Sequence, residues 1–383
     1  MIFSSRNSII GTMAANKRGK SSDVPYRKRY AIIMAGGIGS RFWPWSRAAM
    51  PKQLLALASD KSMLADTVER IRSIVPRENI FIVTGSKMRR GVAKAIPWLS
   101  ARGILCEPTG RNTAPCVGWA ALEVAARDPE GVMIVLAADH VVGPAKKFEK
   151  SILTAFSVAS NDEQLVTFGI KPTDPATGYG YIKVGRKGKG KGPALSVDAF
   201  VEKPDYKTAK RYLKTGKYYW NSGMFAWRAD TILAEIREHL PELSKGLAKL
   251  ERARKRGRIA QKAVDRIYPK LPSISVDHGI MEKSRRVAML PAGFDWSDIG
   301  DWDAVGEMWP GDKQGNRSRD PLIAIDAADN VVATNGKPVA LVGVSGLAVV
   351  DAGDALLVCP RERAQEVRRV VAALGPAGLE KLS

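Results

Sequence analysis

Apolar and helical segments alternate along the first part of the chain. Short apolar runs predict buried strands at Tyr30 to Met34, Ile80 to Thr84, Gly103 to Cys106 and Val132 to Ala137. Over Thr113 to Arg127, Ala, Leu and Val recur at helical spacing, which predicts a helix. Alternation of this kind is typical of βαβ units and of a largely parallel sheet. We therefore expect an α/β fold here, with ligands bound beyond the carboxyl ends of the strands.

The pattern changes from about residue 320. Short β-like runs follow one another at a spacing of roughly eight or nine residues, and Gly, Asp and Asn separate them. They are Leu322 to Ile325, Asn330 to Thr334, Val339 to Val344, Ala348 to Asp351 and Ala355 to Val358. A helix is predicted after them, over roughly Arg363 to Leu374. Regular short strands favour a small β-helical or stacked-sheet domain.

The chain has 383 residues, and a typical domain size of about 150 residues predicts two domains. We place them at residues 29–310 and 320–383. Residues 1–28 are rich in Ser, Lys and Arg and poor in acids, which predicts a disordered basic extension and resembles a transit peptide only weakly. Met13 precedes the first predicted strand and is an alternative start.

The net charge of +21 suggests a nucleic-acid partner. Much of the excess lies in the N-terminal extension, in Arg186 to Lys191 and in Lys245 to Lys262, and aromatic residues are not interleaved with these runs. We therefore expect solvated basic faces and no specific nucleic-acid partner, while salt-dependent attraction to polyanions stays open. No apolar run approaches the roughly 20 residues of a membrane helix, so no membrane association is expected. The three cysteines match no zinc or redox spacing, which favours free thiols in a reducing compartment and a cytoplasmic location.

The candidate chemistry begins directly after the first predicted strand, in MAGGIGSRFWPWSRAAMPKQ, residues 34–53. Gly36, Gly37 and Gly39 allow a bulky anion to approach the backbone amides closely. Arg41 and Lys52 add cationic side chains suited to phosphate oxygens. The segment therefore predicts a phosphate-binding loop, although an ordinary strand-to-helix turn also accounts for the glycines.

Two common glycine motifs do not fit. The dinucleotide fingerprint needs a small residue where this chain has Phe42. The nearest P-loop candidate, Gly185 to Gly192, ends in glycine where a hydroxyl residue is needed, and it looks like a flexible charged loop.

Six further segments occur downstream in a characteristic order. They are EPTGRNTAP (107–115), AADH (137–140), TGYGYIK (177–183), FVEKP (200–204), WNSGMF (220–225) and DWSDIGDW (295–302). Together with the glycine loop, the set resembles the sugar-nucleotide pyrophosphorylases from about Tyr30 onwards, and WPWSR…PKQ is similar to the mannose-1-phosphate guanylyltransferases. The resemblance implies a Rossmann-like, mixed but mostly parallel sheet and a small C-terminal left-handed β-helix, which is often used for dimer contacts. A homodimer is therefore expected.

The resemblance also implies the reaction. GTP and mannose 1-phosphate would give GDP-mannose and pyrophosphate by an in-line attack that depends on Mg²⁺. Another base or sugar, or a non-catalytic regulatory relative, are the alternatives. No residue explains a preference for guanine in physical terms.

Site residues follow from matching positions. Arg41, Lys52 and Lys203 are implied as catalytic, and Asp139 and Asp298 as the Mg²⁺ ligands. The implied nucleotide-binding residues are Ala35, Gly36, Gly37, Gly39, Ser40, Glu107, Asn112 and Thr113. The implied sugar-phosphate residues are Gly180, Tyr181, Glu202, Lys203 and Asn221.

Each group also has a purely structural interpretation. Asn112 and Thr113 are good helix N-cap residues. A lysine at a strand end, such as Lys203, is usually solvated. A carboxylate after a strand, such as Asp139, suits Mg²⁺ but also caps turns. Asp295 and Asp301 are alternative partners for Asp139, and His140 is expected to orient the site by hydrogen bonding.

Overall fold

The computed structural model describes residues 23–161, 163–187 and 193–383. The predicted N-terminal extension therefore lies outside the described residues as far as residue 22, and Tyr26–Lys28 forms a 3-10 turn. Part of the predicted charged loop, residues 188–192, also lies outside them.

The first domain is built from thirteen strands and nine helices within the described residues. The strands are β1 (Arg29–Ala35), β2 (Ile80–Gly85), β3 (Ile104–Glu107), β4 (Val132–Ala137), β5 (Val141–Gly143), β6 (Leu165–Ile170), β7 (Tyr181–Lys187), β8 (Leu195–Val201), β9 (Tyr218–Arg228), β10 (Arg254–Lys255), β11 (Arg258–Ile259), β12 (Val287–Pro291) and β13 (Asp295–Ser297). The helices are α1 (Met63–Ile71), α2 (Arg89–Ala95), α3 (Thr113–Ala125), α4 (Ala145–Asn161), α5 (Tyr206–Thr215), α6 (Ala229–His239), α7 (Pro241–Arg252), α8 (Gln261–Ile267) and α9 (Trp302–Gly306).

Nine of these strands form one sheet in the order β3-β2-β1-β4-β9-β6-β12-β8-β7. The pairings among β3, β2, β1 and β4, and between β6 and β12, are parallel, while β9 and β8 run antiparallel to their neighbours. The predicted mixed, mostly parallel α/β sheet is confirmed. The carboxyl ends of β1, β3 and β4 meet at one edge, where the candidate phosphate loop begins.

Both faces of the sheet are covered, as the continuous apolar character of the strands requires. In β1, Tyr30 and Ile32 pack into the cluster beneath α3, α6 and α7, and Ala31 and Ile33 pack into the opposite cluster with α1 and α4. The side chains of successive residues point to opposite faces of a strand, so one short segment anchors both layers. This fixes the start of the loop that follows.

The C-terminal domain stacks its strands in successive coils. It comprises β14 (Arg317–Ser318), β15 (Leu322–Ile325), β16 (Val331–Ala333), β17 (Val339–Val342), β18 (Leu347–Asp351), β19 (Leu356–Pro360) and the helix α10 (Val367–Leu374). Strands β14, β16 and β18 pair in parallel, as do β15 and β17, whereas β19 returns antiparallel to β18. Strands β14, β16, β18 and β19 thus form one small sheet and β15 and β17 form another. The predicted β-helix-like domain is confirmed. Its left-handedness stays a prediction.

One buried cluster joins the two domains. Phe42 and Trp43 of the glycine loop pack with Val350, Leu357 and Val367 of the C-terminal domain. Burying a side chain of this size contributes about 1.5–3 kcal/mol to the free energy of unfolding. The junction is therefore a buried hydrophobic core that includes residues of both domains. The C-terminal domain is therefore fixed directly against the candidate phosphate loop.

Indole N–H groups add directional bonds at this junction. The Nε1 of Trp43 donates to the Leu382 carbonyl at 2.9 Å, and that of Trp45 donates to the Asp351 carbonyl at 3.0 Å. The Nε1 of Trp302 donates to the Trp43 carbonyl at 3.1 Å. Buried Trp side chains commonly find such a partner. These bonds fix the orientation of the WPW segment relative to both domains.

The predicted elements agree with the structure to within a few residues. The long predicted C-terminal helix divides, with a 3-10 segment, Arg361–Glu366, before α10. Cys106 and Cys116 are buried free thiols, and Cys359 is free but only partly buried. Within the described residues, no helix combines the length and the apolar character needed to cross a bilayer.

Candidate active site

The glycine loop leaves β1 and turns sharply before a 3-10 segment, Ser40–Phe42. Gly37 and Gly39 have φ values of 82° and 72°, in the left-handed region that favours glycine. The side-chain hydroxyl of Ser46 donates to the Gly39 carbonyl at 2.7 Å and holds the turn. Gly36 and Gly37 are exposed, whereas Ala35 is completely buried and its carbonyl accepts the Thr84 hydroxyl at 2.8 Å, which does not fit the predicted contact of Ala35 with a nucleotide.

Lys52 reaches from the end of this segment into the cavity beside the loop. Its Nζ lies 2.7 Å from the carbonyl oxygen of Asp298 and 3.1 Å from Oδ2 of Asp139, and its side chain is only 6% exposed. Its Nζ also lies 5.2 Å from the centroid of the Phe42 ring. Because a buried ammonium needs compensating partners, Lys52 is held in one position, between the two predicted metal ligands.

The pairing of β5 with β13 brings the two aspartates together. β4 ends at Ala137, so Asp139 lies just beyond the sheet edge, and β5 follows it. Ser297 of β13 pairs with Val141 of β5 in antiparallel register, which places the next residue, Asp298, beside the Asp139–His140 segment. Two residues far apart in sequence thereby reach the same lysine.

Tyr179 fixes the orientation of the Asp298 side chain. Its hydroxyl donates to Oδ1 of Asp298 at 2.8 Å. Burial, and then the nearby charge of Asp298, raise the pKa of Tyr179, so this hydroxyl stays protonated and remains a donor at neutral pH.

Hydrogen bonds from Arg70 and Trp296 hold the Asp139–His140 segment in place. Arg70 donates to the His140 carbonyl at 2.8 Å and to the Thr67 hydroxyl at 3.1 Å. The Nε1 of Trp296 donates to Nδ1 of His140 at 3.1 Å, which requires an unprotonated Nδ1. Burial lowers the pKa of His140, so the ring is neutral at pH 7. The predicted orienting role of His140 fits this arrangement.

The groups converge on a cavity of about 410 Å³. It is lined by Gly39, Ser40, Arg41, Phe42, Lys52, Asp139, His140, Asp298, Ile299, Gly300 and Arg368. Its charged side chains are three cations and two carboxylates. Such a cavity suits a polyanion, especially one that brings a cation with it.

The two carboxylates fit a divalent metal ion. Mg²⁺ is usually bound through one or two carboxylates together with substrate phosphates and water, and Asp139 and Asp298 line one cavity together with Lys52. No group of three or more His, Cys, Asp or Glu residues that could hold a metal occurs among the described residues. Two carboxylates alone leave further coordination positions for phosphate oxygens and water.

The alternative aspartates have other surroundings. Asp301 is the N-cap of α9, and its carboxylate accepts the Ala304 amide at 3.1 Å. Asp295 lies exposed at the start of β13. Neither lines the cavity, which favours Asp298 as the partner of Asp139.

A second predicted group lies at the start of α3. The side chain of Asn112 caps this helix by accepting the Thr113 amide at 2.9 Å, and its φ of 63° is unusual for a residue other than glycine. The Thr113 hydroxyl accepts the Val276 amide at 2.8 Å. The structural interpretation as a cap is thus confirmed for Asn112, and the strained backbone is of a kind that clusters at ligand sites.

Glu107 lies near this cap, at the end of β3. Its carboxylate accepts a hydrogen bond from the Tyr268 hydroxyl. Burial raises the pKa of Glu107, and the bond from Tyr268 opposes that rise. A carboxylate at this edge can accept further hydrogen bonds from a ligand.

The predicted sugar-phosphate residues also meet. The Asn221 amide donates to the Gly180 carbonyl at 2.8 Å, and a Cβ on Gly180 would lie 2.5 Å from Oε2 of Glu202. The Nδ2 of Asn221 donates to Oδ1 of Asp277 at 2.9 Å. Lys203 has a φ of 45°, and its side chain is 62% exposed, with Nζ 3.4 Å from Glu202. The exposed Lys203 side chain thus has room to turn onto a ligand.

Tyr181 does not fit the prediction of a side-chain contact to the sugar. Its ring is completely buried, and its hydroxyl donates to the Ala176 carbonyl at 2.8 Å. Both faces of β7 are packed at this point, since Tyr181 lies in one buried cluster and Ile182 in another. Tyr179 precedes the strand and is not held in either cluster core. The tyrosine that contacts a residue of the cavity is Tyr179, through Asp298.

Contacts link the three predicted groups into one cleft. Tyr179 touches Asp298 of the cavity and directly precedes Gly180 of the sugar-phosphate group. Asp277, bonded to Asn221, directly follows Val276, which is bonded to Thr113. Sequence reasoning missed Tyr179 and Asp277, although Tyr179 stands inside a segment already singled out. It also missed Arg368, which no motif signals.

Comparisons with known proteins agree with this architecture. The nucleotidyl transferase family matches residues 30–314, and the MannoseP isomerase/GMP-like beta-helix domain matches residues 320–374. The xanthan biosynthesis protein XanB of Xanthomonas campestris pv. campestris (strain B100) is 39% identical, over 91% of this chain and 73% of that protein. A mannose-1-phosphate guanylyltransferase of Klebsiella pneumoniae is 38% identical, over 89% of this chain and 72% of that protein.

A solved structure is similar to this chain over nearly its whole length. A protein from Thermus thermophilus, described as a mannose-1-phosphate geranyltransferase, has a TM-score of 0.81 and 36% identity, over 91% of this chain and 99% of that one. A likeness of this extent covers both domains.

Proposed function

The chain belongs to the nucleotidyl transferase family, and from this premise we propose that it joins GTP to mannose 1-phosphate, giving GDP-mannose and pyrophosphate. The single observation that supports this most is the position of Lys52, held between Asp139 and Asp298 at the glycine loop. The choice of GTP and mannose 1-phosphate is supported by the relatives that carry the name mannose-1-phosphate guanylyltransferase.

In the proposed reaction, an oxygen of the sugar phosphate attacks the α-phosphorus of GTP in line. The bond from that phosphorus to the bridging oxygen breaks, and pyrophosphate leaves with the electron pair. A sugar-phosphate oxygen is already ionised at neutral pH, so no general base is needed. The residues therefore act by positioning two anions and neutralising their charge.

The proposed roles follow the geometry of the cavity. Arg41 and the amides of the glycine loop bind the triphosphate, and Lys52 lies at the reacting phosphates. Lys203, whose side chain is exposed, holds the attacking sugar phosphate. Glu202 and Asn221 contact the sugar hydroxyls, and Gly180 leaves room for them. Tyr181, which is completely buried, supports this group only through packing.

Nucleotidyl transferases generally use a divalent metal, and we propose Mg²⁺ for this chain. Asp139 and Asp298 would hold it, and when bound it neutralises charge on the phosphates. Lys52 contacts both aspartates, and Tyr179 keeps the Asp298 carboxylate in one orientation at the cavity.

The nucleoside is proposed to lie near Glu107, Asn112 and Thr113. The cap at α3 and the carboxylate of Glu107 offer both donors and acceptors at the sheet edge. The glycine loop residues Gly36 and Gly37, together with Gly39 and Ser40 of the cavity lining, would then follow the path of the phosphates.

A homodimer in the cytoplasm completes the proposal. Large apolar side chains are exposed on the C-terminal domain: Ile323, Ile325, Val342, Leu356 and Val358. Exposed apolar patches commonly mark interfaces, and sedimentation velocity would give the mass in solution. The free thiols are typical of a reducing compartment.

The deciding experiment measures pyrophosphate release by the purified protein across four NTPs and several hexose 1-phosphates, with Mg²⁺ and after its removal by EDTA. We expect the largest kcat/KM with GTP and mannose 1-phosphate, and loss of turnover with EDTA that Mg²⁺ restores. A larger kcat/KM with another pair would identify a different sugar nucleotidyltransferase. Absence of pyrophosphate release with every pair would favour a regulatory relative and refute the proposal.

A further inference from the structure

Arg368 is the one residue lining the phosphate cavity that comes from the C-terminal domain, among the described residues. It belongs to the first turn of α10, while Gly39, Ser40 and Arg41 line the cavity from the glycine loop. No sequence motif indicates this, because the C-terminal domain contains none of the ordered segments of the active site.

Packing determines where Arg368 lies. The residue before it, Val367, and Leu374 at the end of α10 are buried in the cluster that contains Phe42. Helix α10 contacts the 3-10 segment Ser40–Phe42 directly. Because α10 is anchored at both ends against the cluster that contains Phe42, the Arg368 side chain lines the same cavity as Arg41.

Arg368 also differs from its neighbours in having no acidic partner. Arg361 binds Asp303 and Glu307, and both Arg363 and Arg369 bind Glu366. Within the described residues, the side chain of Arg368 makes no hydrogen bond or ion pair, and neither does that of Arg41 of the same cavity. Two guanidinium groups at one cavity therefore keep all their donors available.

The charge balance shows what Arg368 adds. Without it, the cavity has two cations, Arg41 and Lys52, against the two carboxylates of Asp139 and Asp298. With it, the cations are in excess before any metal binds. An arginine fork forms bidentate bonds to phosphate oxygens, and Lys203, at the sugar-phosphate end of the cleft, does not line this cavity.

We propose that Arg368 binds the β- and γ-phosphates of the nucleotide and the pyrophosphate that leaves, so that the C-terminal domain completes the active site. The proposal rests on the proposed nucleotidyl transfer. In the bond-breaking step, negative charge builds up on the bridging oxygen and passes to pyrophosphate, and Arg368 faces that end of the substrate. The group makes no covalent bond and transfers no proton.

The test compares Arg368→Ala with Arg369→Ala, the next residue on the helix, which is exposed and bound to Glu366. Calorimetric titration with inorganic pyrophosphate and Mg²⁺ gives the Kd of each variant, and steady-state assays give the KM for each substrate. For Arg368→Ala we expect a Kd for pyrophosphate and a KM for GTP about tenfold higher, with the KM for mannose 1-phosphate within about twofold. Arg369→Ala should match the wild type.

Two further variants make the role specific. Arg368→Lys keeps the charge but loses the bidentate fork, so it should recover only part of the pyrophosphate affinity. Arg368→Gln, which is polar and similar in length, should behave like Arg368→Ala. Thermal unfolding of each variant should stay within about 2 °C of the wild type, because the side chain is exposed.

The failure of this proposal and that of the proposed function are distinguishable. If the wild type prefers another nucleotide or sugar, the proposed substrates are wrong, while the pyrophosphate titration still measures the role of Arg368. If Arg368→Ala binds pyrophosphate and uses GTP within about twofold of the wild type, the role of Arg368 is refuted, whatever the substrates.

Discussion

Gly39 and Lys52 lie so close together that a Cβ added to Gly39 would be 2.5 Å from Cβ of Lys52. The amide of Lys52 also donates to the Ile38 carbonyl at 3.1 Å. The turn and the lysine therefore form one unit, in which a glycine without a side chain lets the lysine stem pass. The positive φ of Gly39 is a second and independent reason for glycine at this position.

Gly39→Ala is expected to displace Lys52. The left-handed φ costs an alanine roughly 1–2 kcal/mol, and a displacement of about 1 Å at a reacting group can lower the rate about 10²-fold. We expect a lower urea midpoint and a kcat reduced by about 10²-fold, measured by pyrophosphate release.

Gly36→Ala is the matched control for stability. A Cβ on Gly36 meets nothing within 4 Å, and its φ is not in the left-handed region. Its urea midpoint should equal that of the wild type. A Gly39→Ala variant as stable as Gly36→Ala would contradict the close packing described above.

Lys52→Ala is expected to fold but to lose nearly all turnover. Removing one such electrostatic contact costs about 3–4 kcal/mol, or roughly 10²–10³ in rate. Lys61→Ala, an exposed lysine on the same stretch of chain, should be fully active. The assay is single-turnover pyrophosphate release, and a rate near that of the wild type would rule out the assigned role.

Asp298→Asn tests the metal site without disturbing its packing. The amide oxygen can still accept the Tyr179 hydroxyl, but the negative charge is lost. We expect a rate lowered by roughly 10²–10³ and a higher concentration of Mg²⁺ for half-maximal activity. Asp295→Asn, at the start of β13 just before Asp298 but outside the cavity, should leave the Mg²⁺ titration unchanged. Equal titration curves for both variants would contradict the assignment.

The pH dependence of the free energy of unfolding should report the ionisation of Asp277. Burial, and then the charge of Glu202, raise the pKa of this carboxyl from 3.8 to about 6 in the folded state. Because the folded state favours the protonated carboxyl, Asp277 contributes its full stabilisation of the fold below about pH 4. This contribution is lost as the pH rises through 6.

Asp277→Asn should remove this dependence, because its amide oxygen can accept the bond from Asn221 at every pH. Relative to the wild type, the variant should gain about 2 kcal/mol of unfolding free energy between about pH 4 and pH 7.5. Urea unfolding across that range is the measurement. Parallel curves for the two proteins would show that folding does not raise the pKa of Asp277.

Lys203→Ala should affect one substrate only. Its Nζ is exposed at the sugar-phosphate end of the cleft and does not line the phosphate cavity. We expect the KM for mannose 1-phosphate to rise about tenfold or more, with the KM for GTP within about twofold. Lys210→Ala, an exposed lysine of α5, serves as the control. A rise confined to the KM for GTP would reverse the proposed orientation of the two substrates.

Individual residues show how much of the fold and of the site the sequence predicts. The strand Val132–Ala137 matches its prediction, because a continuous apolar run is a local signal of burial on both faces. The partnership of Asp139 with Asp298 came from resemblance, since it depends on β5 pairing with β13 and no local pattern encodes that register. The motif TGYGYIK indicates Tyr181 and not Tyr179, because it does not reveal where β7 begins.

The position of Arg368 was not predictable for a different reason. An arginine in a basic helix usually belongs to a solvated face, and Arg363 and Arg369 do so here. Only the docking of α10 on Ser40–Phe42 distinguishes Arg368 from them. The pattern of a helix gives the face that is buried, but it does not give the neighbour that covers that face.

The three indoles at the domain junction give the protein an intrinsic optical signal. Trp45 and Trp302 meet edge to face with centroids 5.3 Å apart, and the indoles of Trp43 and Trp302 are hydrogen-bonded within the same cluster. Indole emission depends on local polarity. A change in the position of the glycine loop would therefore alter the emission wavelength and the quantum yield without any added dye. Stopped-flow mixing with nucleotide would therefore report any change at this junction in the unlabelled protein, separately from the chemical step.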